Sequence, residues 1–314
     1  MLDTIEIRTS EEKAQKIYKK TLEASRKVNW KIEDIIGGDK QLDFGKRFMP
    51  ESLARVDELE FLTDDERKVL NQIKGHTYLS IFGLVEEFIL PFVLDHVRPS
   101  LDENDYRVRA MLQFASEEAK HIQLFKEFSD EFQAKFGTDC AVIGPPSAVA
   151  EKVLSHAPLG IALVILHIEW MTQRHFIESI RDNGDIDEQF KSLLKNHWLE
   201  EAQHAKLDEL MVEAIADGMT VEEIENGVNE YLEIGGFLDE GLKQQTIFEL
   251  EAFEKATGRT LTEEEKERFM ENQHQSNRWT YLGTGMTHPN FLKMVGALSS
   301  EQRSRLEGVG PVFS

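Results

Sequence analysis

One cysteine, Cys140, is all the thiol the 314-residue chain has. An intrachain disulfide is excluded, as is a four-cysteine iron–sulfur site, and a reducing compartment fits. The 8 prolines and 20 glycines are too few for a many-turned β protein and leave room for long helices. Positive charge is scarce: 36 Lys and Arg face 58 Asp and Glu, a net charge of −22. A surface of that sign repels phosphate, so nucleic acid is not the expected partner. The stretch Pro158–Met171 reads as the most apolar, but it is too short for a membrane span and carries His167 and Glu169. It reads as a buried core helix, and no membrane association is expected. The N-terminal residues lack an apolar signal region, so the expected location is cytoplasmic.

What is present is helical. Thr63–Glu66, Thr220–Glu223 and Thr262–Glu265 have the capping-box pattern that starts a helix. Four long segments carry apolar residues at three- and four-residue spacing, over about 63–96, 102–135, 158–182 and 186–216. The connection over 136–157, with its Gly-Pro-Pro at 144–146, is longer than the other two. One long crossover is the mark of ferritin-like bundles. The expected fold is all-α: a single domain over 1–314, a ferritin-like four-helix bundle at about 63–216, an N-terminal extension 1–62 and a C-terminal helical extension 217–314.

Glu-x-x-His places a carboxylate and an imidazole one turn apart on one helix face, the geometry that grips a metal ion. Three such pairs occur, where composition alone would supply about one: Glu118–His121, Glu201–His204 and Glu271–His274. The first two lie among apolar residues at helical spacing, where an ionisable pair needs a partner and a metal is a ready one. The third is polar on all sides and reads as a surface pair. The remaining two helices each offer a carboxylate. Glu169 is the only acid in the apolar part of its helix, and Glu86 shares a face with Phe82, Ile89 and Val93, whereas Glu87 points away. Glu86 to Glu118 and Glu169 to Glu201 are both separated by 32 residues, so the halves match. His197 lies four residues before Glu201 and seven before His204, on the same stripe.

The order Glu, Glu-x-x-His, Glu, Glu-x-x-His resembles the ferritin-like di-iron carboxylate superfamily over about residues 60–215. The His197-Trp-Leu-Glu-Glu201-Ala-Gln-His204 segment is similar to the arylamine N-oxygenase family, typified by p-aminobenzoate N-oxygenase. The resemblance implies two iron ions, with manganese as a substitute, held by Glu86, Glu118, His121, Glu169, His197, Glu201 and His204. His197 is expected on the iron that also sees Glu201 and His204. The implied activity is that of a non-haem di-iron monooxygenase, an oxidoreductase that activates dioxygen and oxidises a small organic substrate by N-oxygenation, as an arylamine N-oxygenase does, or by hydroxylation. The alternative is a ferritin-like iron-handling or peroxide-consuming protein. No second cofactor motif is visible, so an external electron donor is expected, and a homodimer is the family expectation. Tyr78, Phe82, Phe114, Trp170 and Met171 stand as candidate pocket residues beside the bland reading of each as core.

Overall fold

A computed structural model describes residue 5 and residues 7–103 and 105–314. Among the described residues there are helices and no strands. The main elements are α1 (Glu11–Ser25), α2 (Asp64–Val97), α3 (Tyr106–Phe136), α4 (Pro146–Leu154), α5 (Pro158–Arg174), α6 (Glu188–Ala216), α7 (Val221–Thr257) and α8 (Glu263–Arg278), followed by α9 (Pro289–Leu298) and α10 (Ser300–Val309).

The starts follow from side chains that satisfy free backbone N–H groups. Thr63, Thr220 and Thr262 form reciprocal capping boxes with Glu66, Glu223 and Glu265, as their spacing predicts. Asp105 and Asp187 cap α3 and α6 by accepting from the amides of Val108 and Phe190, which sets those starts a few residues later than the pattern suggests. Gly137 ends α3 with a φ of 79°, the left-handed conformation that glycine adopts without strain.

Helices α2, α3, α5 and α6 form the bundle, with α2 packed on α3 and α5 on α6. The connection over 136–157 carries α4 and is the long crossover expected of a ferritin-like arrangement. Helix α2 also has the length and apolarity of a membrane-crossing segment, a property the sequence reading missed. In the fold most of that apolar stretch is buried against neighbouring helices, including Phe82, Phe88, Ile89 and Val93. The pattern over 158–182 reads as one α-helix. Instead, α5 stops at Arg174 and continues as a π-helical turn over His175–Ile180.

The flanking segments pack directly on the bundle. Helix α1 lies on α3 and α6, and α7 lies on α5 and α2. Asn71 of α2 accepts from the amides of Phe48 and Met49 at 2.8 and 2.9 Å. A buried polar cluster joins Lys74 of α2, Glu249 of α7 and Asn277 of α8, with Thr77 donating to Glu249 at 2.8 Å. Each member is matched by another, which is the condition for a buried charge to be tolerated.

Candidate metal centre

Glu86 of α2, Glu118 and His121 of α3, Glu169 of α5, and His197, Glu201 and His204 of α6 are all buried. Burial alone separates Glu86 from its neighbour: Glu86 points inward and Glu87 is exposed. The side chains form two overlapping sets able to share one ion each. One joins Glu86, His121, His197 and Glu201; the other joins Glu118, His121, Glu201 and His204. Glu201 belongs to both and sits between them. Its Oε1 is 2.6 Å from His197 Nε2 and 3.0 Å from His121 Nδ1, while its Oε2 is 2.9 Å from His204 Nδ1. Glu118 Oε1 lies 2.7 Å from His204 Nδ1, and Glu86 Oε1 lies 3.2 Å from His197 Nε2. Glu169 stands beside Glu201, close enough for each to shift the other's proton affinity.

The structure groups His197 with Glu86, His121 and Glu201, and His204 with Glu118, His121 and Glu201, so the two α6 histidines fall in different sets. The reason is helical rise. Residues 197 and 204 are seven apart, about 10 Å along the axis at 1.5 Å per residue. They therefore straddle Glu201 instead of sharing one side of it.

The donors fit metal ions. Oxygens of Glu86, Glu118, Glu169 and Glu201 and the Nδ1 of His121 are buried without a hydrogen-bond partner. Carboxylate oxygens buried without hydrogen bonds are costly, and a cation among them removes the cost. Oxygen and imidazole donors with no thiolate suit iron or manganese.

Protons and charges are arranged accordingly. Burial, with the charges of Glu118 and Glu201 adding to it, pushes Glu86 well above the usual carboxylate range, and burial beside Glu201 does the same to Glu169. Burial also opposes charge on Glu201, but His197, His204 and the Glu169 carboxyl outweigh it and hold Glu201 well below that range. Glu118 is held down to about 2 against burial by the Glu86 carboxyl and His204. His121 and His204 are raised well above the usual imidazole value, because their acidic neighbours outweigh burial, whereas burial lowers His197.

Three further acids are buried here that the sequence reading left out. Glu200 accepts from His121 Nε2 at 2.8 Å and pairs with Lys120. Glu117 accepts from His204 Nε2 at 2.9 Å and from Gln113 at 3.0 Å. The braces cross: the acid preceding Glu118 holds the histidine of α6, and the acid preceding Glu201 holds the histidine of α3. Each brace fixes the proton on Nε2 and turns Nδ1 toward the centre, the support that metal-binding histidines need. The Glu117–Glu118 and Glu200–Glu201 doublets were the available signal. Asp208, one turn beyond His204, is fully buried with neither oxygen hydrogen-bonded, and burial raises it well above its usual range. The N-terminal segment closes one side, where Trp30 stacks on His121 with ring centroids 6.1 Å apart and Lys120 lies over Trp30.

The third Glu-x-x-His pair is apart from the centre. Glu271 is exposed, and His274 pairs with Asp239 at 3.0 Å. Of the candidate pocket residues, Tyr78, Phe82, Phe114 and Met171 are buried and Trp170 is half-buried. Phe114 stacks on His204, and Phe82 meets His197 edge-on.

No family model matches the chain, and neither does any curated protein. Among solved structures the chain is similar to variants of an R2-like ligand-binding oxidase. One, with an anaerobically reconstituted Mn/Fe cofactor, is 13% identical with a TM-score of 0.44 over 84% of this chain and 92% of that chain. Another, with an aerobically reconstituted Fe/Fe cofactor, is 14% identical with a TM-score of 0.40 over 84% and 92%.

Proposed function

We propose that the chain holds two metal ions, iron by preference, and uses them to oxidise a small organic molecule with dioxygen. Glu86, Glu118, His121, Glu169, His197, Glu201 and His204 would hold them, and Glu201 and His121 are common to both sets. The observation that carries it is the cluster of buried, unpartnered carboxylate oxygens facing three imidazoles, two of them braced from behind by Glu117 and Glu200.

When bound, a reduced metal pair would supply electrons to dioxygen, one atom of which would go to the substrate and the other to water, with two electrons and two protons from an external donor. The chain's own part is to hold the donors in place, keep water out and orient the substrate. Glu118 and Glu201 keep negative charge at the centre of the site. Burial favours the protonated forms of Glu86 and Glu169, and entering cations would displace those protons. The extra imidazole of His197 supports the finer reading as an arylamine N-oxygenase, because it adds a nitrogen donor without adding charge.

The test is metal analysis followed by turnover. Purified chain loaded anaerobically with ferrous iron is expected to hold two irons. Glu118→Ala combined with Glu201→Ala should hold none tightly, and a double variant that kept both would refute the ligand assignment. Oxygen consumption that depends on an added arylamine supports the oxygenase. Oxygen or peroxide consumption that runs without any organic substrate favours the iron-handling alternative.

A further inference from the structure

Beside the centre, α2, α5 and α7 leave a small, partly open apolar cavity of about 40 Å³. Val85 and Ile168 form part of its wall, and each immediately precedes a proposed ligand, Glu86 and Glu169. Phe82 forms the partition on the metal side: it lines the cavity, and its ring stands edge-on to His197 with centroids 5.7 Å apart. Outward, the cavity adjoins a groove of about 280 Å³ between residues 142–149 and α7. Ile143 and Leu238 belong to the walls of both. At the groove, Val142 and Phe237 remain 40% and 37% exposed, large apolar side chains on a strongly acidic protein.

Among the described residues, no Asp, Glu, Lys, Arg or His lines either space. The polar side chains on the walls are Tyr281 within and Gln244 outside. Such a path admits apolar surface and penalises charge, because a carboxylate taken into it would find no cationic side chain on the walls. At about 40 Å³ the inner space holds little more than water, so an occupant must displace Leu238 or Phe82 to approach the centre.

We propose that the groove and cavity form the entry and binding pocket for an uncharged, largely apolar substrate, admitted between Ile143 and Leu238 and stopped against Phe82. This rests on the metal-centre reading above and assigns its substrate class: an aryl or alkyl compound without a carboxylate.

The test compares two arylamines that differ in charge. Calorimetric titration of the iron-loaded chain at pH 7.5 uses 4-propylaniline, which is uncharged there, and 4-aminobenzoate, which is an anion. The expected result is at least tenfold tighter binding of 4-propylaniline. Leu238→Trp should weaken that binding at least tenfold by filling the passage, and Leu238→Ala should bind at least as well as wild type. Leu238 is only half-buried, so both variants should keep the wild-type iron content and melting temperature. Equal or tighter binding of 4-aminobenzoate, binding of neither compound, or a Leu238→Trp variant that binds like wild type would each overturn the proposal. Iron content measured on the same samples separates the failures. Two irons with no preference for the neutral compound sinks the pocket alone, whereas a chain that holds no iron sinks the centre and the pocket with it.

Discussion

The two oxygens of Glu201 face different histidines, Oε1 toward His197 at 2.6 Å and Oε2 toward His204 at 2.9 Å. Six proposed ligands remain without His197, so His197→Ala is expected to keep most of its iron, measured by elemental analysis, while substrate turnover falls at least tenfold. Iron lost in parallel with activity would give His197 an anchoring role instead. Glu200→Ala and Glu117→Ala remove braces and not ligands. Each should weaken metal affinity by roughly 10- to 100-fold in competition with a chelator. The sequence made Glu118, His121, Glu201 and His204 readable because two like pairs sat in apolar surroundings, and helix phase separated Glu86 from Glu87. It hid Glu117 and Glu200 because a one-residue step turns a side chain about 100° around a straight helix, which places them off the ligand stripe. Only the packing of α3 against α6 brings that second stripe to the opposite histidine.

Helices meet closely where one of them lacks a side chain. Gly227 of α7 faces Leu159 of α5, whose Cδ2 would lie 2.5 Å from an added Cβ. Gly285 sits against the ring of His167, which is itself fixed by Tyr231 at 2.7 Å and by the Tyr281 carbonyl at 3.2 Å. Because that ring cannot yield, Gly285→Ala should destabilise the fold by about 1–3 kcal/mol in denaturant titration. Gly236, within α7, has nothing within 4 Å of an added Cβ, so Gly236→Ala should stabilise by up to about 1 kcal/mol. At this scale the capping boxes made the helix starts legible. The π-helical turn after Arg174 was not, because a shift in backbone hydrogen-bond register leaves no mark in apolar spacing. Its consequence is visible in three dimensions, where His175 bridges the Tyr78 hydroxyl at 3.0 Å and the Thr284 hydroxyl at 2.9 Å.

Across the whole molecule, several histidines are buried away from the centre. Burial pushes His76 and His167 down to about 4 and His175 down to about 3. An unfolded histidine titrates near about 6.5. The folded values lie below it, so as pH falls the unfolded chain takes up these protons first. Their contribution to stability is complete above about pH 6.5 and is lost as pH falls through about 4 to about 3. Metal binding works in the same direction, since protons compete for His121 and His204. The melting temperature of the iron-loaded protein is therefore expected to fall steadily from about pH 6.5 downward, with iron released more readily to a chelator in acid. A melting temperature unchanged down to pH 5 would contradict the buried-neutral assignment. The flanking segments carry capping boxes but no motif that ties them to the bundle, and their integration was illegible for that reason: Trp30 and Asn277 act through contacts with residues far away in sequence.

The crossed braces have a consequence for how the centre can be assembled. Each histidine is oriented by an acid on the facing helix, so neither α3 nor α6 alone presents a finished pair to an incoming ion. A chain with these helices apart would offer imidazoles free to rotate and to carry the proton on either nitrogen. Docking of the helices would come before tight capture, and the docked arrangement presents both oxygens of Glu201 at once, one toward His197 and one toward His204. Uptake should therefore look concerted, with chains holding two ions or none in native mass spectrometry at half-saturating iron and few holding one.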